Sequence, residues 1–386
     1  MAFFAVSPLY FAAHGVDATA QGTLFVLWSL TSFLCEVPSG ALADTVSRRL
    51  LLQLSAVLYL GCFGSWLLLP SYGGFLLGFV LWGVSSSLMS GTFEALLYDE
   101  LASAGQESSY DMVRTRAETA GVASISFGML AAGPLVALGG YRAVAIASLA
   151  VAAVHLATTA VLPAPPRREA VAERRYLQHL RTGVSEVART PALRRTVLAI
   201  TATVALVGFD EYFALFFADA GLTPGWVAVA VAVVAVAQGL GTWAASRRTL
   251  PGRRAVAQLT VLAGAAFAAG AVAALAHAAS AALAAVVLIA VAYGIITNLY
   301  VAQENRLQHQ ITGSARATVT SVAGVSAELG AITSFALMGG LAHWWSVPFV
   351  LLVATMPFTA IATAVVRKGR PRSRRPSART AGSPGR

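Results

Sequence analysis

The chain has 386 residues, of which 57% are hydrophobic and only 11% charged. A soluble domain carries roughly 25% charged residues, so this composition excludes a water-soluble globule and makes lipid the surrounding solvent. The net charge of +10 is not a nucleic-acid footprint, because the bases lie between apolar segments and not in one patch.

In chain order, apolar segments predict spans near 1–14, 20–43, 50–69, 74–97, 114–138, 141–162, 194–218, 223–246, 255–277, 280–301, 314–338 and 345–366. Segments this long in hydrocarbon must satisfy their own backbone hydrogen bonds, so each is expected to be helical. The predicted fold class is an all-α membrane protein of about twelve crossings. If the loop 44–49 is cytoplasmic and sides alternate from there, every base except Arg142 falls on the cytoplasmic side. That bias predicts a multi-pass inner-membrane protein with both termini in the cytoplasm.

The expected organisation is a first bundle over 1–162, a linker over 163–193, a second bundle over 194–366 and a basic tail over 367–386. Within the linker, Leu177, Leu180, Val184 and Val187 recur at helical spacing among arginines, the pattern of an amphipathic helix on the membrane surface. The tail has too little apolar content to fold and reads as a solvated anchor for anionic lipid. Cys35 and Cys62 both fall inside apolar spans and are read as small buried hydrophobes.

The two halves repeat. Arg116-Ala117 opens span five and Gly139-Gly140 closes it; 200 residues on, Arg316-Ala317 and Gly339-Gly340 do the same for span eleven. A parallel internal repeat of two six-helix bundles predicts this. Pro8–Gly15 resembles Ala214–Gly221, which aligns span one with the second half of span seven. Span one is therefore expected to be short, with its natural start about ten residues before Met1.

The stretch from Glu36 to Arg49 contains Gly40, Asp44, Arg48 and Arg49. It resembles the loop signature between helices two and three of the major facilitator superfamily, with Thr45 in place of a base and Ser47 in place of a glycine. The resemblance implies a transporter of two bundles and a cytoplasmic gate motif at Gly40, Asp44, Arg48 and Arg49. Gly40 is expected to allow close helix approach, and Asp44 either to latch the gate or to cap the next helix. Glu36, Glu94, Asp99, Arg114, Arg116 and Glu118 are the expected partners in that cluster. Span five, with Gly128, Gly133, Pro134, Gly139 and Gly140, loosely resembles the glycine-proline motif of the drug:proton antiporter branch. It reads equally as tight packing with a kink at Pro134. The run Ser90–Glu100, with Asn305-Arg306 and Arg316-Ala-Thr, is similar to a broad group of bacterial facilitators.

Acids inside spans are expensive and therefore candidates for function. Asp210 and Glu211 lie in span seven, Asp210 ~22 Å along the helix from Arg195. Glu328 lies ~18 Å from Arg316 in span eleven. These three are the candidates for proton coupling, since a carboxyl in hydrocarbon can load and release a proton. Each reads alternatively as a cavity-facing acid bonded to a neighbour. Asn298, Gln238, Tyr293 and Tyr212 are the candidate cavity residues, Asn298 above all because an amide in hydrocarbon needs a partner.

No G-x-x-x-x-G-K-[ST] phosphate loop and no H-E-x-x-H motif occur, so neither ATP nor a metal is expected to drive this chain through those motifs. No cofactor, no nucleic acid and no catalytic constellation are expected; the partners are the lipid bilayer, a small-molecule cargo and protons, around a monomer. The expected function is proton-coupled efflux of a small amphipathic or hydrophobic molecule, the resemblance supplying the direction. Uptake of a nutrient is the alternative within the class. A membrane enzyme or a non-transporting sensor is the alternative outside it.

Overall fold

The computed structural model describes residues 2–162, 184–247, 251–311, 316–357 and 360. These are helices joined by short turns, with no strand among the described residues. In chain order the helices are α1 (Ser7–Ala13), α2 (Ala18–Thr45), α3 (Arg48–Leu68), α4 (Tyr72–Met89), α5 (Thr92–Ser103), α6 (Tyr110–Ala160), α7 (Pro191–Val207), α8 (Phe213–Asp219), α9 (Pro224–Ser246), α10 (Arg253–Ala274), α11 (Ala279–Gln310), α12 (Arg316–Ala342) and α13 (Val347–Val353). Among the described residues nine stretches are long and apolar enough to cross a membrane. All but a few residues of the amphipathic linker helix, and the whole basic tail, lie outside the described residues.

Local chemistry sets the helix boundaries. Asp17 starts α2 by accepting the Ala20 N–H at 2.8 Å, and Ser47 starts α3 by accepting the Leu50 N–H at 3.2 Å, each satisfying a donor with no partner inside its helix. Prolines occupy the first turns of α7, α9 and α13, where a missing N–H does no harm. The expected single span 74–97 is two helices, α4 and α5, because Gly91 turns the chain at φ +70°. In α6 the backbone stays helical through Pro134 and breaks at Gly139-Gly140, where Gly140 has φ +63°. That conformation suits a residue without Cβ. The expected kink at Pro134 is thus displaced to the glycine pair.

The repeat is visible in the backbone. A 3₁₀ turn at Phe3–Ala5 precedes α1, and a 3₁₀ turn at Gly208–Tyr212 precedes α8. Both short helices have seven residues.

The halves are packed differently. Residues of the first half interlock as rings: Phe11 lies 4.5 Å from Phe75, 5.2 Å from Trp66 and 5.7 Å from Phe79, centroid to centroid. Such pairs add roughly 0.5–1.5 kcal/mol beyond their buried area. In the second half, rings gather around Tyr293, 4.5 Å from Phe213 and 6.0 Å from Phe267, and α9, α10 and α11 elsewhere close on buried alanines, among them Ala228, Ala263, Ala271, Ala285 and Ala292.

Two seams join the halves, α2 against α12 and α6 against α9. Each is tightest at one end of the molecule. A Cβ at Gly22 would lie 2.6 Å from the Gly339 Cα, and one at Gly133 would lie 3.1 Å from the Gly225 carbonyl oxygen. The repeat pairs α2 with α9 and α6 with α12, so it relates the two seams, although at the 200-residue offset Gly339 aligns with Gly139 and not with Gly133. The opposite end carries Arg48, Arg49, Arg114, Arg194, Arg195 and Arg247. Toward it the α2/α12 seam loosens. Leu34 is 61% exposed, and a Cβ at Gly40 or Gly324 would meet nothing within 4 Å. The close approach expected at Gly40 is therefore missing; Gly241, on α9, makes it instead, against the Gly294 carbonyl of α11.

Candidate functional site

The interior site is built on the interruption of span seven. α7 ends at Val207, the five residues Gly208–Tyr212 form a 3₁₀ turn, and α8 follows. A change from i→i+4 to i→i+3 bonding leaves backbone carbonyls without helical partners, and in hydrocarbon these must be satisfied. Tyr293 of α11 does this: its hydroxyl donates to the Leu206 carbonyl at 2.7 Å, with the Val207 carbonyl at 3.3 Å. Tyr293 is fully buried. It therefore supports the turn and does not line a cavity, contrary to the expectation for it. Tyr293→Phe should lower stability by roughly 1–3 kcal/mol, the range for a buried polar group left unpaired. A thermal melt of the detergent-solubilised protein measures this; an unchanged midpoint would remove the supporting role.

Tyr212 is corrected in the same way. It is fully buried at the seam, its hydroxyl 3.4 Å from the Phe335 carbonyl and its ring 5.4 Å from that of Phe25.

The turn presents Asp210 and Glu211 side by side, both half-buried. Gln238 of α9 donates its amide to Asp210 Oδ2 at 3.5 Å. Two of the sequence candidates are thus brought together from different helices. Asn298 is not with them: its amide donates to the Gly241 carbonyl at 3.0 Å, stapling α11 to α9. The amide does find a partner, but a packing one.

Glu328 of α12 meets the first half. Ser29 of α2 donates a short hydrogen bond to Glu328 Oε1. Nothing in the sequence singled out Ser29, since serine is common in membrane helices as a packing residue. Between the arginine-rich end and Glu328 lies a cavity of about 270 Å³ lined by Ile200, Tyr300, Glu304, Gln308, Thr320 and Ala327, among others. Tyr300 donates to Glu304 at 2.6 Å there.

The expected gate cluster is only partly assembled. Arg48 pairs with Asp99 and donates to the Ala95 carbonyl at 2.9 Å. Arg49 donates to the Ala160 carbonyl. Both bonds tie α3 to neighbours within the first half. Arg114 pairs with Glu118 at 2.9 Å along the exposed face of α6. Among the described residues no ion pair joins Glu36, Glu94 or Arg116 to this cluster. The α3 cap assigned to Asp44 is made by Ser47, and Asp44 itself belongs to the last turn of α2; its side chain is outside the described residues. Of the packing motif, Gly133 makes the seam with Gly225, while Gly139 and Gly140 form the break in α6. Among the described residues no three His, Cys, Asp or Glu side chains gather into a metal-binding group.

Comparison with solved structures agrees with this arrangement. The nucleoside transporter NupG (D323A mutant) superposes with a TM-score of 0.75 at 13% identity, over 95% of each chain. A bacterial homologue of the iron transporter ferroportin in an inward-facing state gives 0.69 at 12% identity, over 94% of each chain. A POT family transporter in complex with 5-aminolevulinic acid gives 0.69 at 12% identity, over 95% of this chain and 92% of that one. These likenesses concern the fold. No curated protein matches the sequence significantly. The family model described as Major Facilitator Superfamily matches residues 1–313, and the chain belongs to that superfamily of secondary transporters.

Proposed function

We propose that the chain is a proton-coupled transporter that moves a small amphipathic or hydrophobic molecule out of the cell by alternating access. The observation that carries the reading is the Asp210–Glu211 pair on the broken span seven, held by Gln238. No lysine or arginine occurs in 196–246, 255–305 or 317–366, so no base within the spans of the second half can neutralise these acids. An acid at this depth is neutralised by a proton or by cargo.

The arginine-rich end is read as cytoplasmic in the bacterial inner membrane, with both termini on that side. The seams closed at the glycine end then correspond to an inward-facing state of a monomer. The break in α6 divides one long stretch into two crossings, and α1 and α13 supply two more beyond those that length alone identifies. Twelve crossings in two bundles of six follow, over 1–162 and 194–366. Alanine- and valine-rich spans favour an apolar cargo over a nutrient that needs many hydrogen bonds.

The test is transport by the full chain in proteoliposomes, with ethidium as reporter cargo and an imposed pH gradient. Ethidium movement against the proton flow, abolished by an ionophore that collapses the gradient, is expected. Movement with the proton flow would replace efflux by uptake. Flux equal to that of protein-free vesicles, or indifferent to the gradient, would overturn the coupled reading.

A further inference from the structure

We infer that the cavity of about 270 Å³ between α7, α11 and α12 is a docking site for a small organic cation, with Glu304 as its anionic contact. The inference rests on the transporter reading above and deepens it by naming the charge of the cargo.

The residues that line this cavity all belong to the second half. It is therefore not the passage shared by the two bundles, and it travels with one bundle when the halves rock. Along α12 it runs from Thr320 to Ala327, two turns or ~10 Å from the arginine-rich end inward. Its volume lies just below the usual range of ligand pockets, about 300–1,000 Å³, so the molecule it takes is small.

The walls combine apolar and polar surface. Ile200, Leu307 and Ala323 are buried in one apolar cluster and form the floor. Gln308 Nε2 donates to Thr320 Oγ1 at 3.2 Å, which ties α11 to α12 near the arginine-rich end. Tyr300 donates to Glu304 Oε1 at 2.6 Å. That bond orients the carboxylate and leaves Oε2 without a partner among the described residues. A cation held by a carboxylate and against an aromatic ring gains from both, and its apolar body covers the floor.

The sign of the ligand follows from how acids at this end are neutralised. In the first half Asp99 of α5 is paired with Arg48. In the second half, the arginines at the ends of α9 and α11 are engaged elsewhere. Arg247 lies over the Trp243 ring at 4.8 Å, and Arg306 donates to the Pro251 carbonyl at 2.6 Å. Among the described residues Glu304 has no ion-pair partner, and it is the one charged residue of the lining. An anion brought here would face that charge uncompensated, whereas a cation would complete it. At an end where bases predominate, one oriented carboxylate beside an apolar floor gives an amphipathic cation a place to settle.

The experiment is a ligand-detected NMR titration of phenethylammonium against the full-length protein in lipid nanodiscs, with protein-free nanodiscs as baseline. It runs without a gradient at about pH 7, where such an amine is charged. Neutral phenethyl alcohol is the matched control. Wild type should bind the ammonium about tenfold more tightly than the alcohol. Glu304→Gln keeps the size of the side chain and an acceptor for Tyr300, and should erase that preference. Gly324→Leu should abolish binding of both: a Cβ at Gly324 would meet nothing within 4 Å, so the leucine fits and fills the cavity that Gly324 lines. Wild type that binds the ammonium no better than the alcohol, or a Glu304→Gln variant that keeps the wild-type preference, would overturn the inference. So would a Gly324→Leu variant that binds the ammonium as wild type does, which decides the matter even if Glu304→Gln fails to fold. The readout involves neither protons nor flux. Its failure leaves the coupled reading standing, and uncoupled or inward flux in the vesicles leaves this site standing.

Discussion

Asp210→Asn should abolish most gradient-driven flux while leaving exchange of cargo at equal pH on both sides. Asparagine has the size of aspartate and can still bond to Gln238, which lies 3.5 Å from the carboxylate, so the 3₁₀ turn should persist. What it cannot do is carry a proton. Proton and cargo affinities in a coupled carrier are linked by a free energy that corresponds to roughly 5–150-fold. Loss of the carrier group should remove a factor of that order from transport against a gradient and nothing comparable from exchange. Glu211→Gln is the companion variant, because the two acids are adjacent on one turn. If one variant loses coupling and the other does not, the proton is assigned to the first. If both transport as wild type under an imposed gradient, the acids are structural and the coupling assignment is wrong.

Gly22→Leu should trap the carrier away from its glycine-sealed state. Even a Cβ at this position would lie 2.6 Å from the Gly339 Cα and 2.7 Å from the Tyr212 hydroxyl, and the first of these is backbone that cannot rotate away. Overpacking of this kind costs about 1–3 kcal/mol, one to two decades in the ratio of closed to open forms. The penalty falls only on the closed form, since the open form separates the two glycines. The distance between spin labels at Ala13→Cys in the first half and Trp344→Cys in the second, in protein lacking Cys35 and Cys62, should shift toward an open population by about that factor, and net transport should fall because one half of the cycle is disfavoured. Equal distance distributions in the presence and absence of the leucine would show that the seam tolerates the added volume and does not act as a gate.

How far the sequence could be read follows from the physics of each feature. Hydrocarbon demands long apolar helices, so the helical architecture is legible from composition, and the repeat of Arg116 and Gly139 at Arg316 and Gly339 exposes the two related halves. Asp210 and Glu211 stand out because charge in a span is rare. Their support does not: a hydroxyl looks the same in sequence whether it meets solvent or a stranded carbonyl, so Tyr293 reads there as a cavity wall. Ser29 is invisible for a related reason, being one serine among many until Glu328 is brought beside it. Gly22 and Gly225 sit near the starts of the matched helices α2 and α9, a pairing legible in the repeat. At Gly40 a glycine permits close contact but does not require it, and only the three-dimensional neighbour decides.

The contrast between ring-packed and alanine-packed halves has a mechanical consequence. Rings wedged edge to face resist sliding, because any displacement lifts one aromatic out of the notch formed by its neighbours. Helices that touch through methyl groups meet as nearly smooth cylinders at short range and can creep or roll past one another with little steric resistance. Phe11, Trp66, Phe75 and Phe79 thus stiffen the first half, whereas α9 to α11 combine the stacked Phe267–Tyr293 pair with many buried alanines, so sliding is easiest where those alanines meet.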